Sequence, residues 1–190
     1  MKKLFEDDAK QTGWVTAHCD GGARGNPGPA GFGVVVTAED GTKLAELSEF
    51  LGFKTNNVAE YSGLLASLEW ALANGQKRLR VVSDSELMVK QIQGRYKVSS
   101  PDLRPLYDEA KRRIAQLEGF EISHALRHKN KDADRLANAA MDKGMGRAVP
   151  EKATPYPKAE KQLRGVVKDG VVHLLGGSLP DGVMVKVERE

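Results

Sequence analysis

One cysteine, Cys19, stands among 190 residues. That excludes an intramolecular disulfide and any zinc site built from several cysteines. It also favours a reducing compartment, so a cytoplasmic location is expected. The chain lacks any apolar run approaching the roughly 20 residues that a membrane-spanning helix needs. Its first residues, "MKKLFEDDAK", carry two lysines with no apolar stretch behind them, and no secretory signal is expected. A strong charge bias is missing too. The formal net charge of +3 permits a nucleic-acid partner without demanding one. What the chain does have is a 40% apolar share, adequate for one ordinary domain with a short appendage.

The order of patterns gives the organisation. Residues 1–12 read as a polar arm. From Trp14, "WVTAHCD" is a strand ending at Asp20, followed by the Gly/Pro-rich turn "GGARGNPGPAG" and a second strand, "FGVVVTA". An Asp-Gly turn leads into a third, "LAELSEFL". The period then changes: Tyr61, Leu64, Leu65, Leu68 and Leu72 recur at helical spacing and predict a helix over about 57–74. "LRVVSD" is a fourth strand and "SELMVKQIQ" a short helix. "SSPDLRPLYDEAKRRIAQLEG" is a longer helix opened by Ser100 and Pro101. "FEISHALRH" is a fifth strand, and "NKDADRLANAAMDKG" a helix with Asn130 as its N-cap. A hairpin meander followed by alternating helices and strands predicts an α/β fold: one mixed five-stranded sheet flanked by helices, over residues 13–146. Residues 147–162 hold three prolines and many charges and read as a linker. The Val-rich stretch 163–190 reads as a small β-rich tail of two or three short strands. It has too little to bury a core alone, so it packs on the main domain, on a partner or on a second copy of itself; its exposed edges favour the last, a homodimer through the tail.

Four carboxylates stand where a site would put them. Asp20 ends the first strand and Asp84 the fourth, while Glu60 and Asp134 lie near the starts of two helices, at the edges of their apolar stripes. If the first and fourth strands are neighbours, all four converge at one end of the sheet. Their mutual repulsion would raise their pKa values, and divalent cations would relieve it. Hard oxygen donors suit Mg²⁺ or Mn²⁺. Two such ions, roughly 3.5–4 Å apart, serve in-line attack on a phosphodiester. Each acid also has a plain structural reading, the aspartates as turn formers or helix caps and Glu60 as a solvated helix residue.

The surrounding words carry more. "DGGARGNPGPAGFGVVV", "TNNVAEYSGLLASLEWA", "VVSDSELMVKQIQG" and "HKNKDADRLANAAMD" occur in this order from about residue 14 to 145. Together they resemble the strand-end Asp and Gly/Asn turn, the Asn-Asn-x-x-Glu helix start, the Asp-Ser strand end and the closing Asn-x-x-Ala-Asp helix of type 1 ribonuclease H. The resemblance implies endonucleolytic hydrolysis of the RNA strand of RNA–DNA hybrids, leaving 5′-phosphate and 3′-hydroxyl ends. It implies that Asp20, Glu60, Asp84 and Asp134 hold two metal ions, with Asp20 bridging both. Asp132 remains a rival for the last place on sequence alone. It further implies that Gly21, Gly22 and Asn26 approach the minor groove of the hybrid, and that Asn56 and Asn57 meet sugar and base edges. Small residues and neutral amides suit 2′-hydroxyl recognition, although Asn57 reads equally well as a cap. "HALRH" resembles a family loop whose histidine assists catalysis or product release, which makes His128 the match and His124 a strand residue.

The chain departs from many members in lacking a tryptophan-rich basic protrusion between the fourth and fifth strands. It is similar to the shorter, protrusion-lacking branch, and discrimination against double-stranded RNA is expected to be weaker. Lys111, Arg112 and Arg113 are the cations nearest to a substitute. The rival reading is a non-catalytic ribonuclease H-like module that binds nucleic acid or protein; the presence of all four acids speaks against it.

Overall fold

The computed structural model describes residues 13–125 and 130–147, together with the backbone of 165–168 and 171–174. The chain divides into two compact units, Met1–Pro150 and Glu151–Glu190.

In the first unit, strands β1 (Trp14–Ala23), β2 (Gly28–Thr37) and β3 (Lys43–Lys54) form an antiparallel meander. Strands β4 (Arg78–Ser83) and β5 (Gly119–His124) add in parallel on the other side of β1. The sheet order is β3-β2-β1-β4-β5. β1 and β4 are therefore neighbours, the condition under which the four acids converge.

Both faces of the sheet are covered, and the sequence periods say by what. Val15, Ala17 and Cys19 alternate on one face of β1, and Phe32, Val34 and Val36 do so on β2. Against them packs α1 (Asn56–Ala73), whose Tyr61, Leu64, Leu68 and Ala71 are buried at helical spacing. The helices α2 (Glu86–Ile92) and α3 (Arg104–Ile114) complete this core with Met88, Ile92 and Ala110. The opposite face is closed by α4 (Lys131–Gly144) through Ala133, Leu136, Ala137, Ala140 and Met141. With helices on both sides, β2 is buried almost throughout instead of alternating.

Several boundaries differ from the sequence reading; β2 starts earlier, at Gly28, β3 runs on to Lys54, and β5 ends at His124. β1 runs past Asp20 to Ala23, because Gly21, Gly22 and Ala23 still pair with β2. α1 starts at Asn56 with Thr55 as its cap, the Thr55 hydroxyl accepting from the Val58 N–H at 3.4 Å. α3 begins only at Arg104, and residues 101–103 form a turn. Pro105 lies in its first turn, where a missing N–H costs nothing. The preceding turn drives Leu103 into the core.

In the second unit, β6 (Gly165–Lys168) and β7 (Val171–Leu174) form an antiparallel pair with Gly165 opposite Leu174 and Lys168 opposite Val171. Among the described residues, no helix is long and apolar enough to cross a membrane.

Candidate active site

The last parallel pair between β1 and β4 joins Cys19 to Ser83. Asp20 and Asp84 follow one step beyond it, side by side at the same end of the sheet. Glu60 and Asp134 are delivered to that end by helices on opposite faces, and in each case a glycine in the sheet sets the approach. A Cβ on Gly21 would collide with the backbone of Ala59 and Glu60, so α1 rests directly on the β1 main chain. A Cβ on Gly33 would strike the Ala133 carbonyl, the Ala137 nitrogen and the Leu136 side chain, so α4 rests likewise on β2. The two helices that carry the acids touch the sheet where it has no side chains.

The electrostatics follow. Asp20 is buried, and its carboxyl is pushed from an ordinary 3.8 up to about 7. Burial is the main cause; the charges of Asp84 and Asp134 add to it, as does a hydrogen bond with the Asp84 carboxyl. A bond from the Gly21 N–H to Oδ1, at 2.8 Å, opposes the shift. The Glu60 carboxyl is also raised, by burial first and by Asp84 next, against hydrogen bonds from Ser85 and Asn56. Those bonds fix both its oxygens: Ser85 Oγ donates to Oε2 at 2.5 Å and Asn56 Nδ2 to Oε1 at 2.9 Å. Asp20, Asp84, Asp134 and Glu60 thus form one linked set of charges. Asp134, not Asp132, belongs to it. Asp132 is exposed and acts instead on His18 and Lys43.

The donor set is all carboxylate oxygen, buried or half-buried and mutually repelling, which is chemistry that a hard divalent cation satisfies. Among the described residues, no three acids, histidines or cysteines close on one point as a ready-made cage. The carboxylates couple in pairs. Mg²⁺ is commonly held in this way, by one or two carboxylates with water and substrate oxygens completing its octahedron. The residues fit the ion.

Around this set lie the other residues named from sequence. Gly21 is buried beneath α1 and Gly22 half-buried near Met141. Asn26 is exposed, and its Oδ1 accepts from the Asn56 N–H at 3.1 Å, tying the β1–β2 turn to the start of α1. Asn57 occupies the first turn of α1, while Thr55 makes the cap, so capping does not account for it. His124 closes β5 as a strand residue, with Nε2 3.2 Å from the Asp84 carbonyl. His128 lies outside the described residues. Two of the three cations considered as a substitute for the protrusion are engaged elsewhere: Arg112 and Arg113 both pair with Glu109, and Arg113 also reaches Glu69.

Sequence reading missed Ser85, which clamps Glu60 and caps α2 at once. The Asp-Ser pair after β4 was its signal. Asn130 stands at the N-cap of α4, as the sequence predicts. The side chain makes no capping bond; Nδ2 donates to the Cys19 carbonyl at 2.8 Å.

A five-stranded mixed sheet with this order, helices on both faces and acids gathered beyond the two central parallel strands defines the ribonuclease H-like class. Comparison with known proteins agrees. Residues 18–140 match the reverse transcriptase-like family. Bifunctional protein Rv2228c of Mycobacterium tuberculosis is 49% identical over 129 residues, 67% of this chain and 35% of that protein. Ribonuclease HI of Halobacterium salinarum is 41% identical over 68% of this chain and 65% of its own length. A crystal structure of LC11-RNase H1 in complex with an RNA/DNA hybrid is 43% identical, with a TM-score of 0.66, covering 69% of this chain and 99% of that one. The chain belongs to the reverse transcriptase-like, ribonuclease H-like family. It spans about a third of the length of the first curated relatives it matches.

Proposed function

We propose that this protein hydrolyses the RNA strand of RNA–DNA hybrids endonucleolytically, using two Mg²⁺ or Mn²⁺ ions held by Asp20, Glu60, Asp84 and Asp134. The observation that carries the reading is the linked set of carboxylates centred on buried Asp20, raised to about 7 by burial and by Asp84 and Asp134. Such an arrangement is costly unless positive charge is supplied. Ribonucleases of this family are in general dependent on divalent metals.

When bound, the ions lower the pKa of a water and stabilise the leaving oxygen. The chain's own residues do the rest. Asp20, at the centre of the set, would be a ligand of the ions, with Glu60, Asp84 and Asp134. Ser85 and Asn56 hold Glu60 in one orientation, so its oxygens face the site without a search among rotamers. The Asn26–Asn56 bond joins the turn and the helix start into one amide-bearing edge. Asn26, Asn56 and Asn57, with the backbone at Gly21 and Gly22, meet the minor groove there and read the 2′-hydroxyls that mark RNA. Water oxygen attacks phosphorus, the bond to the 3′-oxygen breaks and that oxygen takes up a proton, giving 5′-phosphate and 3′-hydroxyl ends. His128 assists the proton transfers or the release of product. Double-stranded RNA is a slower substrate. Cys19, alone and buried, suits a cytoplasmic setting.

The test offers end-labelled RNA–DNA hybrid, double-stranded RNA and single-stranded RNA to the full chain, with Mg²⁺, Mn²⁺ or EDTA. Hybrid is cut only with metal, and D20N binds hybrid without cutting it. Binding without any cleavage by the wild type would establish the rival reading, a non-catalytic module.

A further inference from the structure

Asn130 does not do what its position asks of it. It occupies the N-cap of α4, where an asparagine ordinarily turns its side-chain oxygen onto a backbone N–H two or three residues on. No such bond forms. Nδ2 instead donates to the Cys19 carbonyl, 111 positions away in sequence. The residue is 2% exposed, and its Oδ1, also buried, receives no hydrogen bond from the described residues. A forgone cap and a buried acceptor without a donor both oppose folding, and an orphan of this kind calls for an explanation.

What the side chain gains is a junction. Cys19 is the residue before Asp20. On its other side Asn130 accepts, through its own carbonyl, the Asp134 backbone N–H at 3.1 Å. One residue thereby joins the two backbone points from which Asp20 and Asp134 project. Those carboxylates repel one another, and the start of α4 would relieve the repulsion by swinging off the sheet. Gly33 permits the close approach of α4 but does not pull. The bond from Asn130 to Cys19 does.

We propose that Asn130 is a positioning residue that clips the first turn of α4 to the end of β1, holding Asp134 at the distance from Asp20 at which the two share a divalent cation. This rests on the metal-site reading of those acids.

The test is Mn²⁺ affinity, measured calorimetrically on the full chain, beside the urea midpoint in EDTA. Asn130→Ser is the discriminating variant. Serine is a good N-cap but too short to reach the Cys19 carbonyl, so it should hold or raise metal-free stability while weakening Mn²⁺ binding 10- to 100-fold, the order seen when outer-shell partners are lost. Asn130→Ala should weaken Mn²⁺ binding equally. Asn138→Ala, which removes another amide bonded to the Asp134 carbonyl within the same helix, should leave affinity unchanged. Wild-type Mn²⁺ affinity in both Asn130 variants would overturn the clip. So would a loss of affinity that merely follows a loss of metal-free stability. A wild type that binds no Mn²⁺ would instead overturn the metal-site reading beneath it.

Discussion

Replacing Asp20 with asparagine should make the metal-free protein more stable while abolishing its function. The side chain keeps its shape, and its oxygen still accepts from the Gly21 N–H; only the charge is lost. In the native protein that carboxyl sits at about 7 instead of 3.8. A raised acid favours the folded state only while protonated. Its stability contribution is therefore intact below the ordinary value, declines as the pH climbs from about 4 to about 7, and is fully lost above. The gap corresponds to ~4 kcal/mol at alkaline pH. Asp84 and Asp134 relax once Asp20 is neutral, and the new amide nitrogen needs a partner, so a net gain of about 2–4 kcal/mol is expected at pH 8 and almost none at pH 4. In urea with EDTA this moves the midpoint by roughly 1–2 M, for a slope of about 2 kcal/mol per molar. Added Mg²⁺ at about 100 times its dissociation constant should return ~2.7 kcal/mol to the wild type and nothing to the variant. A D20N protein no more stable than wild type at pH 8 in EDTA, or one with an unchanged pH profile, would refute the account of the site as a charge-strained cluster.

Gly33→Ala forces α4 off the β2 backbone; it should cost about 1–3 kcal/mol in urea unfolding and weaken Mg²⁺ stabilisation, whereas a loss of stability with metal response intact would detach α4 packing from the site. Truncation after Gly146 removes no acid of the set. It should preserve hybrid cleavage, and light scattering before and after truncation tests whether the tail self-associates; loss of cleavage in a folded truncation would mean that the catalytic domain extends past residue 146.

Much of this was legible because it rests on local chemistry. The switch from period 2 to period 3.6 after Thr55 located α1, since only one face of that helix meets the sheet. The acids were legible as a set through the words around them, and the parallel neighbouring of β1 and β4 then brought Asp20 and Asp84 together. Long-range contacts left less trace. Nothing near Asn130 says that its amide reaches Cys19, and the local rule for N-caps points the other way. The choice between Asp132 and Asp134 required knowing which side of α4 faces β1. The late start of α3 came from Leu103 entering the core, a tertiary demand that outweighed the helix-opening signal at Ser100 and Pro101.

The contacts at Gly21 and Gly33 also fix where along the strands each helix can stand. Among the described glycines of the sheet, these are the two where an added Cβ would strike a helix backbone hardest. If α1 moved along β1 to the next position on the same face, it would meet the side chain of Cys19 in place of bare main chain. A move of α4 along β2 toward the next residue on its own face, Val35, would likewise set it against a side chain. Each helix is keyed to a single notch, and its acid is indexed with it. Main chain resting on main chain thus sets how near each acid-bearing helix can come, and the side-chain bonds of Asn130, Ser85 and Asn56 hold the acids at that limit.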